Sequence, residues 1–516
     1  MNDPRPLSAV YAARIAQANV YDVAIESPLD RAPRLSVRTA NDVLLKREDL
    51  QAVFSFKIRG AYHKIARLSA EQLARGVIAS SAGNHAQGVA LAARKRGAHA
   101  VIVMPQSTQA IKFEAVAALG GEVILHGDTY DDANHHALEL SRSRGLVLVH
   151  PFDDADVIAG QGTIAVELER QWAAPAEAVF VPVGGGGLIG GIGAYLKHRH
   201  AAVRIVGVEP VDAASMHAAL TRGAPTTLER VGTFADGVAV RRVGDETFRL
   251  AREVIDEIIL VNTDEICAAI KDIFEDSRVI VEPAGALAVA GLKRYVDATS
   301  VRGRSLIAIN SGANMSFGRL RHVSERAEIG EHREALLAVQ IPERPGAFLR
   351  FCEALGARNV SEFNYRYAPV ATAQIFVGVS LRRGTAEAHE IIRTLTVSGY
   401  AVLDLSDNEL AKLHVRHMVG GQAAGIADEL IYRFEFPERP GALLAFLRAI
   451  GDRWNISMFH YRNHGSDYGR VLAGVQVPVA DRGRFAEHLA TLGYPHWEET
   501  ANPAYRMFLG PRGAAS

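Results

Sequence analysis

Seven short runs in the first 320 residues, "GVIAS", "AVIVMP", "EVILHG", "LVLVHP", "AVFVPV", "RIVGVEP" and "SLIAIN", are largely continuous rather than alternating in polarity. Such strands must be covered on both faces, and a parallel sheet flanked by helices provides that cover. Stretches of helical period such as "AQGVALAARKRG" and "IKFEAVAALG" separate the runs, so a parallel α/β fold is predicted here. Ligands of such sheets bind beyond the C-terminal ends of the strands, which directs the search to the turns there.

After about residue 330 the texture changes. "ALLAVQIPERPGAFLRFCEALGARNVSEFNYRY" (335–367) is echoed by "LIYRFEFPERPGALLAFLRAIGDRWNISMFHYRN" (430–463), with Pro345-Gly346 recurring 95 positions later as Pro440-Gly441. Each copy runs strand, helix, strand, strand, helix, strand, a ferredoxin-like βαββαβ unit. "MVGGQAAG" (418–425) reads as the linker between them.

Three turns and one lysine carry chemistry. In "VFSFKIRGAYHKI" (53–65) Ser55 reads as an N-cap, which sets Lys57 in the positive first turn of a helix. The dipole and the flanking Phe54, Phe56 and Ile58 would lower the lysine's pKa and free an amine able to attack carbonyls; a solvated helix lysine is the ordinary alternative. In "AVFVPVGGGGLIGGIGAYL" a strand ends at Val183, Gly184 to Gly187 turn, and a helix starts near Leu188. Four consecutive glycines let backbone N–H groups converge on one anion, which makes a phosphate cradle; glycine packing beneath a crowded helix is the alternative. Gly185, Gly187 and Gly190 also satisfy G-x-G-x-x-G with Glu209 ending the next strand, which by itself favours a dinucleotide. "IASSAGNHAQGVA" places Ser81 and Asn84 at another helix N-terminus, suited to a carboxylate or phenolic oxygen or else to plain capping, with His85 read as structural. "SLIAINSGANMSF" presents Ser311 at a strand's end, where capping would explain it equally well.

Charge narrows the partners. Lys plus Arg number 57 and Asp plus Glu 58, so no whole-chain field recruits nucleic acid or an anionic membrane, and a small ligand is expected. Two cysteines in 516 residues build no disulfide framework, which suits a reducing compartment. The N-terminus lacks the pattern of a signal peptide and no apolar run reaches membrane-spanning length, so a cytoplasmic protein is expected.

Taken in order, "SFKIRGA", "SAGNHAQG", "VGGGGL", "EPAGA" and "SGAN" closely resemble the pyridoxal-phosphate enzymes of the serine/threonine dehydratase group, and the duplicated tail resembles that of the biosynthetic threonine ammonia-lyases. The resemblance spans nearly the whole chain and outweighs the single dinucleotide motif. It implies a fold-type II catalytic domain over 1–325, with two parallel-sheet α/β subdomains, the smaller one (about 51–147) inserted in the larger. Two ferredoxin-like, ACT-like regulatory domains would follow at 332–417 and 426–510. Pyridoxal 5'-phosphate would be the cofactor. Lys57 would hold it covalently and then act as the base at the substrate's Cα; Gly184, Gly185, Gly186, Gly187 and Leu188 would bind its phosphate. Asn84 would meet its phenolic oxygen, Ser311 its pyridine nitrogen, and Ser81 with Asn84 and neighbouring N–H groups the substrate carboxylate.

The implied reaction is elimination and deamination of L-threonine, and also L-serine, to a 2-oxo acid and ammonia, 2-oxobutanoate in the case of threonine. Isoleucine as inhibitor and valine as its antagonist are the implied effectors, and a homotetramer the implied assembly. Tyr365-Arg366 and Tyr461-Arg462 end corresponding strands of the two copies, so the symmetry of the repeat would place them at related sites where they meet an effector's carboxylate and side chain; ordinary strand-end residues facing water or a subunit are the alternative. Serine racemases have a second serine where this chain has Ala82, so elimination is expected over racemisation. A divalent metal in those relatives needs a carboxylate where Ser215 stands, so none is expected here. A serine-preferring or catabolic dehydratase and an amino-acid sensor with an inert catalytic half stay open at this point.

Overall fold

The computed structural model describes residues 5–106, 108–366, 371–413, 415–417, 426–437, 442–451, 453–462, 468–492, 494–502, 505 and 509. The chain divides into two compact units, Met1–Gly330 and Glu331–Ser516. The helix Leu320–Gly330 packs within the first, five residues past the boundary expected at 325, because Arg326 is buried there against Asp264.

The first unit holds two sheets. Six strands run in the order Leu29–Arg31, Asp42–Arg47, Ser305–Asn310, Ala178–Pro182, Arg204–Pro210, Glu257–Val261, all parallel except the first. Four parallel strands, Glu122–Leu125, Ala100–Met104, Val77–Ser80 and Val147–Leu148, form the smaller sheet. Separate apolar clusters cover the two faces of each sheet, as continuous strand runs require. The two halves of the unit meet where the helix Lys57–Ala66 crosses the helix Ala155–Gln171. A Cβ on Gly60 would lie 2.7 Å from the Val157 carbonyl oxygen, and one on Gly160 would lie 2.7 Å from Gly60 Cα, so only glycines permit this approach.

In the second unit both copies of the repeat fold as βαββαβ. Their strands Val360–Arg366 and Asn455–Arg462 pair antiparallel, which fuses the copies into one eight-stranded sheet over one continuous apolar core. Residues 418–425, read as the linker, and Pro440-Gly441 lie outside the described residues.

Candidate active site

The turn before Lys57 is stitched to the turn after the strand Ser305–Asn310. Phe56 N–H donates to the Ser311 carbonyl at 3.2 Å, Ala313 N–H to the Phe54 carbonyl at 2.9 Å, and Ser55 bridges Gly312. This stitching draws Ser55 into extended pairing, so Phe56 rather than Ser55 caps the helix Lys57–Ala66 and the expected N-cap is corrected. Lys57 is the first helical residue, as its placement in the first turn required. Its Nζ donates to the Pro151 carbonyl at 3.0 Å and lies 5.2 Å from the Phe56 ring centroid. Burial lowers its pKa to about 8, with the Glu282 carboxylate pulling the other way.

Two residues on, Arg59 is fully buried. Its guanidinium spans Glu48 at 2.7 Å and Glu167 at 2.6 Å, and Lys46 reaches Glu167 at 2.7 Å. This four-charge cluster fixes the helix that carries Lys57 to the helix Ala155–Gln171, whose leading turn carries Pro151.

The strand Ala178–Pro182 delivers the tetraglycine turn, and the helix Gly187–Arg199 follows it, capped by Gly186 at φ +95°. No side chain fits this turn. A Cβ on Gly185 would lie 2.2 Å from Phe152 Cγ, one on Gly187 2.9 Å from the Phe152 carbonyl oxygen, and one on Gly184 3.0 Å from Val238 Cα. Thr247 Oγ1 donates to the Gly185 carbonyl at 2.6 Å and holds the turn from behind. The dinucleotide reading loses its acid here. Glu209 is fully buried and accepts from the N–H groups of Met216 and His217, both at 2.8 Å, so its carboxylate caps the helix Ser215–Arg222. Burial pushes that carboxyl up to about 7.

The helix Asn84–Arg96 is capped by Gly83, and neither Ser81 nor Asn84 serves as its side-chain cap. Ser81 Oγ accepts from Gly83 N–H at 3.3 Å. Asn84 Nδ2 donates to Glu282 at 2.6 Å, while its Oδ1 accepts from Asn314 Nδ2 at 2.7 Å. Ser311 Oγ donates to the Ala284 carbonyl at 3.3 Å. His85 binds the Val149 carbonyl at 2.8 Å and is driven by burial to a pKa of about 3, which fits a structural role.

All of the cofactor-site residues expected from the sequence line one cavity of about 1110 Å³: Lys57, Ser81, Asn84, Gly184 to Gly187, Leu188 and Ser311. Sequence reasoning missed Glu282, Asn314, Phe152 and Thr247. Glu282 and Asn314 sit inside the quoted "EPAGA" and "SGAN" motifs and could have been found there; Phe152 and Thr247 carry no local signal.

In the second unit, Tyr365 donates to Glu343 at 2.6 Å beside a small cleft lined by Glu343, Phe348 and Tyr365 of the first copy and Leu447, Trp454 and Ile456 of the second. Arg366 turns away from it. Its guanidinium is buried against Glu429 at 2.5 Å and the Leu509 carbonyl at 2.7 Å, so this arginine braces the two copies. Tyr461 is buried in the core of the tail, and the side chain of Arg462 lies outside the described residues.

The cavity fits pyridoxal phosphate: a turn too tight for any Cβ lies at a positive helix end, and a lysine with a depressed pKa and the Ser311 hydroxyl share the same space. Comparison with known proteins agrees. Residues 20–312 match the pyridoxal-phosphate dependent enzyme family, and 325–415 and 420–509 each match the C-terminal regulatory domain of threonine dehydratase. The biosynthetic L-threonine dehydratase IlvA of Burkholderia multivorans is 54% identical over 97% of this chain and 99% of its own, and that of Escherichia coli 53% identical over 99% and 100%. The processed form of threonine deaminase isoform 2 from Solanum lycopersicum superposes with a TM-score of 0.62 at 50% identity, covering 64% of this chain and 90% of its own. The chain therefore belongs to the pyridoxal-phosphate-dependent enzymes and, among them, to the biosynthetic threonine dehydratases with C-terminal regulatory domains.

Proposed function

We propose that this chain converts L-threonine to 2-oxobutanoate and ammonia, with L-serine as a second substrate, and that amino-acid effectors act through its tail. The observation that carries the reading is the Lys57 amine, held on the Pro151 carbonyl in the cavity that also contains the glycine cradle and Ser311. When bound, pyridoxal phosphate supplies the electron sink that lets the Cα–H bond of an amino acid break. The residues of the chain do the rest. Gly184 to Leu188 would hold the phosphate group, and Asn84 would donate to the phenolic oxygen. Ser81 and the N-terminus of the helix Asn84–Arg96 hold the substrate carboxylate. Lys57, its pKa lowered by burial, takes the Cα proton.

Ser311 would meet the pyridine nitrogen with a hydroxyl, which does not force its protonation; the sink that the cofactor supplies would then stay weak and favour loss of the β-hydroxyl as water. Ala82 offers no acid on the opposite face, so elimination prevails over racemisation. The released enamine tautomerises and hydrolyses to the 2-oxo acid and ammonia.

The cleft beside Tyr365 supports the effector reading: its lining joins apolar Phe348, Leu447 and Ile456 to the polar Glu343, Arg344 and Asn455, and among the described residues the buried Trp454 indole N–H has no acceptor. Isoleucine as inhibitor, valine as antagonist, a homotetramer and a cytoplasmic location complete the proposal. Turnover measured as 2-oxo acid and ammonia, with L-threonine and L-serine and with or without millimolar isoleucine and valine, tests it. Isoleucine is expected to weaken threonine binding by about 1–3 kcal/mol with sigmoidal kinetics and relief by valine. Hyperbolic kinetics indifferent to isoleucine would remove the effector proposal, and absence of product would remove the reaction.

A further inference from the structure

Glu282 has no part in the roles assigned above. It stands at the N-cap of the helix Pro283–Thr299, yet its carboxylate makes no capping bond and lies in the cavity wall, 5% exposed. Its Oε1 accepts from Asn84 Nδ2 at 2.6 Å. Asn314 Nδ2 donates to Asn84 Oδ1 at 2.7 Å and to the Val53 carbonyl at 2.8 Å. Both hydrogens of the Asn314 amide are thereby used, so Asn84 must turn its oxygen to Asn314 and its nitrogen to Glu282. One hydrogen on Asn84 Nδ2 remains for a ligand, and the chain of bonds sets where it points. Glycines wall the carboxyl in: a Cβ on Gly312 would lie 2.8 Å from Oε1 and one on Gly237 3.4 Å.

The charged groups facing Glu282 come from three elements. Lys57 opens its helix, Asp236 lies in the turn Asp236–Val238, and Lys112 lies on the helix Ala110–Ala118, bonded to Asp236 at 2.7 Å. Burial and then Asp236 push the Glu282 carboxyl up to about 7, while Asn84, Lys112 and the Asn314 N–H pull it down. Lys57 in turn faces Glu282, His85 and His150, and the two histidines are held below their ordinary range chiefly by burial.

We infer that Glu282 is a positioning residue for the elimination: it locks the Asn84 amide toward the phenolic oxygen of the cofactor, and its charge sets how readily Lys57 gives up a proton. This rests on the assignment of Lys57 and Asn84 to the cofactor made above. The full chain, stripped of cofactor and mixed with pyridoxal phosphate, reports the effect without turnover through the growth rate of the visible band against pH. The wild type should show a midpoint near 8. Glu282→Gln keeps the shape and removes the charge, so its midpoint should fall by about half a pH unit or more, with a displaced visible maximum. Glu282→Asp should restore the midpoint. Asn314→Leu releases the Asn84 amide without touching the charge, so it should displace the visible maximum and leave the midpoint in place. A wild-type midpoint and maximum in Glu282→Gln, or equal midpoint shifts in Glu282→Gln and Asn314→Leu, would overturn the inference. A Lys57→Ala protein that still develops the band would instead overturn the site assignment beneath it.

Discussion

Replacing Gly185 with alanine adds one methyl group to the tetraglycine turn, and the structure shows what that methyl meets. Its carbon would sit 2.2, 2.3 and 2.4 Å from Cγ, Cδ1 and Cδ2 of Phe152. The ring has little freedom to retreat, since it stands edge-on to His150 at 4.7 Å and its own backbone closes over Gly187. Relief therefore requires the turn 150–153 to move, and that turn carries the carbonyl that holds Lys57. Overpacking of this kind costs about 1–3 kcal/mol. Concentrated at the cradle, it weakens pyridoxal phosphate binding by about 5-fold to 150-fold, at tenfold per 1.4 kcal/mol. Titrating the stripped protein with the cofactor and following the visible band measures the change. Gly190→Ala is the matched comparison, because its Cβ would meet only Leu250 at 3.5 Å, an ordinary contact. A Gly185→Ala protein with a dissociation constant within twofold of wild type would refute the cradle, and an equal loss in Gly190→Ala would revive the dinucleotide pattern.

Arg59→Met strands the buried Glu48 and Glu167 carboxylates with Lys46 alone, so a stability loss of about 3–5 kcal/mol is expected, read as a lower denaturant midpoint of the catalytic unit. Ser311→Asp should retain the cofactor but slow elimination and raise the share of transamination, because a protonated pyridine stabilises the carbanion longer; the product ratio checks it. A chain ended after Gly330 should fold into a dehydratase indifferent to isoleucine. One ended at Arg326 should be markedly less stable to thermal unfolding, since it loses the last turn of a helix held by the buried Arg326–Asp264 pair.

The strands legible in the sequence were the central ones. "AVFVPV", "RIVGVEP" and "SLIAIN" are apolar throughout because helices cover both faces, and they fold as Ala178–Pro182, Arg204–Pro210 and Ser305–Asn310. Strands toward the edge lack that signature: Glu257–Val261 is only partly buried, and Leu29–Arg31 presents two exposed charges. At the site, residues recruited by a turn geometry or a helix end were readable, as with Lys57 and the tetraglycine. Phe152 and Thr247 were not, since they act from distant segments by filling the space that excludes a Cβ. Arg366 was legible only in part for a related reason: a strand-end arginine shows its charge in the sequence but not the buried Glu429 with which it pairs.

The pairing that fuses the two copies of the tail carries its own symmetry. Tyr365-Arg366 corresponds to Tyr461-Arg462 in the repeat, so Asn364 and His460 are equivalent positions, and these two face each other across the junction. A local twofold axis therefore passes between them, and each neighbouring pair is its partner's mirror: Phe363 opposite Tyr461 on one side, Tyr365 opposite Phe459 on the other. The tail has the geometry of a homodimer whose two chains became one. A single copy, separated from its twin, would bare the strand Val360–Arg366 as an open edge and could close it only by docking on another like itself. In that pair Asn364 would meet Asn364, and Glu362 would lie opposite Arg366, a register stabilised by opposite charge at both ends.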